Sequence, residues 1–322
     1  MSRRLAAAFL ALCALAISAG ASAQAWPTKA VRLIVGYPPG GFTDVLARKI
    51  QGPLSAALGQ PVVVENKAGA AGIIAMEAIA RSNDDHTIGM MTLQNIAVPA
   101  TGATVPYDPR KDLVGVGILA YSPSVLVVND TVPIKDVPAL IAYAKQHPGE
   151  LMAATTGNGT GQHFAVEKLK LGAGIDIGVV PYKGAAPAFT DLIGGRVHMM
   201  FGTYGSMRPN WESGKVRAIA VTTPKRTPLL PNVPTMAEVS GIPDFNLVEW
   251  FAVIAPGTMP KPALAKLNAA LNDIMKAPDY AEFAAKSGIE FAPISADETQ
   301  SFLMKELDRL TVLSKAARIK ID

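Results

Sequence analysis

Cysteine is almost absent. The single one, Cys13, lies inside an apolar N-terminal stretch, so the rest of this 322-residue chain has no disulfide, no thiol nucleophile and no thiolate for a metal. Histidine is nearly as scarce: His86, His147, His163 and His198 are the four, none paired at metal-ligand spacing, and no zinc site is expected. Aromatic residues make up only 6% and no basic cluster occurs, which excludes the stacking and phosphate-tracking surface that a nucleic acid requires. Beyond the N-terminal stretch no window approaches the ~18 uninterrupted apolar residues of a membrane-spanning helix. Gly157-Asn-Gly159 opens like a dinucleotide fingerprint, but Gln162 stands where the third glycine belongs, and no phosphate-loop Lys-Ser/Thr motif occurs. No cofactor is expected. Arg208 stands two residues after Ser206, where a nucleophile elbow needs glycine.

What is present is apolar sequence punctuated by turns. Apolar residues reach 49% against 17% charged, with 28 Gly and 25 Pro spread along the chain, the composition of a folded, loop-rich protein. The length suits two α/β lobes of roughly 100 to 150 residues. The first 23 residues read as a signal peptide: Arg3 and Arg4, an apolar run over 5–17 too short to span a bilayer, and Ala21-Ser22-Ala23 as a cleavage site. Cys13 as a lipid attachment site is the rival reading, opposed by the bulky Leu12 before it. Loss of the two arginines takes the formal charge from +4 to +2, so no basic partner-binding face is indicated. Export to a periplasm, as a monomer, is expected.

The clearest rhythm is an apolar strand, a glycine-rich turn and a helix start, the pattern of doubly wound α/β sheets. Residues 30–36 read as a strand, Tyr37-Pro-Pro-Gly-Gly41 as a turn, and Thr43-Asp44 as the cap of a helix with Leu46, Ile50, Leu54 and Leu58 on one face. The scheme recurs at 151–155 with Gly157-Asn-Gly-Thr-Gly161 and a helix over 162–171. It recurs again at 178–182 with Lys183-Gly-Ala-Ala186 and a helix over 187–193, and at 197–201 with a turn over 202–206. Further strands are read at 61–65 and 87–92, and helices at 73–81 and 261–276. Ser295-x-x-Glu298 is a capping box opening a final helix. Residues 113–129, interrupted by Tyr121-Ser-Pro123, and 247–255 are taken as crossings between lobes. Lobe 1 is then 26–122 plus 248–322 and lobe 2 is 123–247, with a double crossing as the hinge.

Each strand-to-helix turn leaves free N–H groups and the positive end of a helix at one sheet edge, where anions bind without a cationic side chain. Three turns are candidate cradles: Pro39, Gly40 and Gly41 with Thr43 and Asp44; Thr155, Gly157 and Thr160 with His163; and Lys183, Gly184, Ala185 and Ala186. His163 is open between ligand contact and packing, and Lys183 between an anion partner and solvent. Asp44, Asp191 and Glu249 could meet as acid/base groups, but a cap, a helix face and a lobe crossing explain them better.

Six motifs in order resemble a known family: Tyr37-Pro-Pro-Gly-Gly-Phe-Thr-Asp44, Leu58-Gly-Gln-Pro-Val-Val-Val-Glu-Asn66, Gly69-Ala-Ala-Gly72, Pro181-Tyr-Lys-Gly184, Asp191-Leu-Ile-Gly-Gly195 and Val233-Pro-Thr-Met-Ala-Glu238. Together they resemble the Bug-type receptors of tripartite tricarboxylate transporters. The resemblance implies a type II periplasmic-binding-protein (Venus-flytrap) fold, α/β, with two doubly wound lobes on a two-stranded hinge. It also implies capture of a small carboxylate by main-chain amides of those three turns, and delivery to membrane permease subunits. Two departures stand out: Asn83-Asp-Asp-His86 replaces a common Asp-Gly-Tyr turn, and Gly202 follows Phe201 where an acidic residue is common. The second removes a partner for a ligand amine and favours a simple carboxylate over an amino acid. The competing readings are an exported hydrolase or lyase using Asp44, His163 and Lys183, and a loaded receptor that docks on a membrane sensor.

Overall fold

The computed structural model describes residues 26–320, so the expected leader, its cleavage after Ala23 and Cys13 lie outside the described residues. The chain runs β1 (Val31–Val35), α1 (Phe42–Leu58), β2 (Val62–Asn66), α2 (Ile73–Ala80), β3 (Thr87–Thr92), α3 (Leu93–Ala100) and β4 (Leu113–Ser122). Then come β5 (Ser124–Asn129), α4 (Val137–Gln146), β6 (Met152–Thr155), α5 (Gly161–Ala173), β7 (Gly178–Pro181), α6 (Ala185–Ile193), β8 (Met199–Thr203), α7 (Tyr204–Glu212) and β9 (Val216–Val221). A short α8 (Met236–Val239) leads to β10 (Glu249–Pro256), α9 (Lys261–Lys276), α10 (Pro278–Ser287) and α11 (Ala296–Ala317).

Two five-stranded sheets result, ordered β2-β1-β3-β10-β4 and β7-β6-β8-β5-β9. β1 pairs in parallel with β2 and β3, and β6 with β7 and β8. In each sheet the strand that has just crossed from the other, β5 or β10, runs antiparallel to both neighbours. Every residue of β3 and of β5 is buried, as expected for strands covered on both faces.

Local sequence explains most boundaries. α1 buries Leu46, Ile50, Leu54 and Leu58, and Gly59 closes it at φ +73°, a left-handed turn that glycine adopts without a Cβ penalty. Its N-cap is Gly41, two residues before the expected Thr43-Asp44. Asp44 instead sits in the first turn and accepts from the Gly40 N–H. Ser295 caps α11 with both arms of its capping box formed. β8 extends through Gly202 to Thr203, so the turn expected over 202–206 is a strand end and a helix start. Asp84 pins the departing Asn83-Asp-Asp-His86 turn, accepting from the His86 N–H and the Ser82 hydroxyl.

The chain passes from the first sheet to the second at Pro123 alone, a proline that has no N–H to continue the ladder. It returns at Leu247, whose N–H and C=O both bond to Thr222, while the Thr222 N–H donates to Ser124. The two crossings therefore lie side by side. A third element spans them: α11 packs against α3 and β4 on one side and α5 on the other. Ile34, Phe164, Phe201 and Leu307 accordingly belong to one continuous buried cluster.

Candidate functional site

Four helices point their N-termini into one cavity of about 200 Å3 between the two sheets. It is lined by Thr43 of α1, Thr92 and Gln94 at the start of α3, Thr160, Gly161 and Gln162 at the start of α5, and Thr203, the N-cap of α7. The arrangement follows from topology. β1, β3, β6 and β8 are parallel strands near the middle of their sheets, and each releases its chain toward the shared gap as a helix begins. Each first turn leaves backbone N–H groups without helical partners, and the four dipoles add a positive potential. No lysine or arginine lines the cavity. Its chemistry suits an anion held by main-chain amides.

Side chains complete the walls. The Thr92 hydroxyl meets the Tyr37 phenol at 2.7 Å, and Asn95 accepts from the Thr92 N–H at 2.9 Å. Burial pushes the Tyr37 phenol up to about 12, so it stays neutral and available as a donor. The Thr156 hydroxyl donates to Gln162 at 3.0 Å, turning that side chain's amide toward the gap. Glu249 and Phe251, alternate residues of β10, form the floor. Beyond Phe251 and Thr203 a second chamber of about 400 Å3 continues along Phe42, Val45 and Ile289, a largely apolar surface that also carries Ser122, Ser206, Ser287 and Lys286.

The opposite face of β10 borders a larger cavity of about 570 Å3, lined by Val248 and Trp250 together with Lys225, Arg226, Glu290 and Glu306. It receives no helix N-terminus and mixes charges of both signs. The smaller gap is therefore the better anion site.

Of the residues expected from sequence, Thr43 and Thr160 line the cavity. Pro39, Gly40 and Gly41 are exposed in the loop before α1. Asp44 is turned away: only 2% exposed, it accepts from Gly40 N–H, Arg48 Nε and Asn66 Nδ2 at 2.9–3.0 Å. Thr155 is fully buried, Gly157 accepts from the Thr160 hydroxyl, and His163 folds back to accept from the Gly159 N–H at 3.1 Å. Lys183, Gly184, Ala185 and Ala186 flank the Thr156 loop but lie outside the lining, with Lys183 exposed. The acid, imidazole and amine that a hydrolase reading needs do not converge: Asp44 and His163 are engaged locally and Lys183 points to solvent. Tyr37, beside the first turn, and Thr156, within the second, also line the cavity, whereas Thr92, Gln94, Gln162, Thr203, Glu249 and Phe251 are not legible as ligand contacts from the sequence. A signal for one group existed in Thr92-x-x-Asn95, a capping pattern directly after a buried strand. Gly202 packs against Met207, where a Cβ would lie 2.3 Å from its side chain, so a larger residue there requires Met207 to shift.

The Asp44 lock makes a stability prediction. Its hydrogen bond from Arg48, reinforced by Gly40 and Asn66, holds the carboxyl down at about 2, below its ordinary 3.8. The ionised form is thus favoured in the folded state, and the stability it contributes, about 2 kcal/mol, is complete above pH ~4 and lost as pH falls toward 2. Urea denaturation between pH 5 and 2 is expected to show this loss, and a flatter profile in Asp44→Asn.

Among the described residues no cluster of His, Cys, Asp and Glu could hold a metal ion, and no helix is long and apolar enough to cross a membrane. The family model described as the tripartite tricarboxylate transporter family receptor matches residues 46–318. Protein BugT of Bordetella pertussis is 36% identical over 314 residues, covering 96% of this chain and 95% of its own. The solved structure of R. palustris Rpa4515 with adipate superposes with a TM-score of 0.77 at 35% identity, covering 91% of this chain and 99% of that one. MatC from Rhodopseudomonas palustris, with bound malate, gives 0.74 at 29% identity, covering 89% and 99%. With a family match over most of its length and 36% identity to BugT across 96% of the chain, this chain belongs to the tripartite tricarboxylate transporter receptor family, as a Bug-type member.

Proposed function

We propose that this protein is a periplasmic solute-binding receptor that captures one carboxylate of a small ligand in the gap between its sheets and presents it to membrane permease subunits of a tripartite transporter. The observation that carries the reading is the convergence of four helix N-termini on a cavity with no cationic side chain. The carboxylate would be held by the first-turn amides of α1 and α5, with Thr43, Gln94 and Gln162 completing its hydrogen bonds. Pro39, Gly40 and Gly41 would fold over the entrance. Asp44, Thr155, Gly157 and His163 support these loops from behind, and Lys183, Gly184, Ala185 and Ala186 would approach only as the lobes close. We assign lobe 1 to 26–122 plus 248–322 and lobe 2 to 123–247, closing about the paired crossings. A ligand touching both walls favours the closed form because only there does it make both sets of bonds. Adipate and malate in the two related structures support a small carboxylate, and the apolar second chamber suits a ligand body longer than the carboxylate itself.

A thermal-shift screen of the purified protein against a carboxylate library tests this. A true ligand at 100 times its dissociation constant is expected to add about 2.7 kcal/mol of stability, with no product formed by NMR after prolonged incubation. Turnover of the ligand would instead support an exported hydrolase or lyase.

A further inference from the structure

Glu249 is the one charged side chain on the wall of the cavity. It opens β10, directly after the chain returns to the first sheet, and among the described residues no donor or cation meets its carboxylate. A methyl group built on Gly161 would lie 3.2 Å from Glu249 Oε2, so this carboxylate sits beside the first turn of α5. The ionisable groups around it are acids. Tyr37 faces it from the end of β1, a neutral phenol bonded to Thr92. Glu306 of α11 lies behind β10, taken up by Arg309 and by the Trp250 indole N–H. From α5 the near residue is Gly161, and His163 faces the Gly159 loop instead.

A carboxylate largely withdrawn from water on the wall of the gap, half-buried and without a counter-charge, is costly unless a partner arrives or a proton neutralises it. A second ligand carboxylate would place like charges in contact. An ammonium group would supply the missing donor.

We propose that Glu249 is a specificity-determining residue that selects α-amino carboxylates, its carboxylate receiving the ligand's ammonium group while the adjacent amides of α5 hold the ligand's carboxylate. The inference rests on the cleft reading above. The closeness of Glu249 to Gly161 is what fixes the class, because an α-amino acid carries both groups on one carbon. It departs from the expectation of a simple carboxylate that the resemblance attaches to Gly202.

Burial, with a smaller push from Glu306, raises the Glu249 carboxyl to about 7. The empty protein therefore carries a proton there in mildly acidic solution, and an ammonium ligand must displace it. Affinity for such a ligand should fall about tenfold per pH unit once the pH drops below 7.

Calorimetric titration of the purified protein with matched pairs tests the proposal: succinate and aspartate, glutarate and glutamate, adipate and 2-aminoadipate, propionate and alanine, phenylpropionate and phenylalanine. At pH 8 the amino member is expected to bind at least tenfold tighter than its parent acid in the pair that binds, to weaken about tenfold by pH 6, and to lose its advantage in Glu249→Gln. A parent acid that binds as well as its amino partner, or more tightly as pH falls, overturns the inference while leaving the carboxylate cleft standing. Unchanged amine preference in Glu249→Gln overturns it as well. Binding by no member of any pair overturns the cleft reading and this inference with it.

Discussion

Gly161→Val is expected to abolish ligand capture, lowering affinity by a hundredfold or more, about 2.7 kcal/mol, while the protein remains folded. Gly161 is the first residue of α5 and faces the gap. A Cβ there would come within 3.2 Å of Glu249 Oε2 on β10 and 3.4 Å of Leu93 Cδ2 at the start of α3, both across the gap. A single methyl is tight but can be accommodated. The two further methyl groups of valine must occupy the ligand's space or wedge the sheets apart, and either removes the set of bonds that a ligand makes to both walls. Gly161 is not in the left-handed region, so the helix itself accepts valine at a cost well under ~1 kcal/mol relative to a good helix former. Calorimetry with a ligand from the screen, beside thermal melts of the empty protein, separates lost binding from lost fold. Gly161→Ala should fall between the two.

Trp250→Ala is expected to have the largest effect on stability, about 3–5 kcal/mol. Trp250 is 1% exposed, packs edge-on against Phe302 at 5.6 Å between ring centres, and donates its indole N–H to Glu306. It lies where β10 pairs with β4, against Phe302 and Glu306 of α11, so its removal opens a void at the junction of these elements. It also leaves Glu306 with Arg309 alone. Equilibrium urea unfolding reads the loss directly. A change below ~1 kcal/mol would mean that the junction collapses around the void and carries little of the fold's stability.

The strand over 87–92, the helix over 261–276 and the capping box at Ser295 were legible because their signals are local: an apolar run, a 3.6-residue period, and a Ser-Glu pair at fixed spacing. α3 was not, since Leu93–Ala100 is mostly apolar and carries Pro99, which reads as a loop breaker. α10 was hidden for a similar reason, with Pro278 opening it where a stop is expected. The Pro-Pro-Gly-Gly turn was recognised, but Asp44 was assigned to the ligand because its partners Arg48 and Asn66 come together only in the fold. Glu249 is the clearest case. β10 is buried almost throughout, so no alternation in its sequence tells which side chains face the gap and which face the rear cavity. That depends on how β10 pairs between β3 and β4, a contact between distant segments.

The central claim is that main-chain amides at helix N-termini hold an anion in the gap between the sheets. The most direct measurement is a calorimetric titration of the purified protein with a carboxylate from the screen and with its methyl ester, repeated on Gly161→Val. The account predicts one-to-one binding of the free acid, no detectable binding of the ester, and loss of the acid's binding in the valine variant. An ester that binds as well as the acid, or acid binding that survives Gly161→Val, would contradict it.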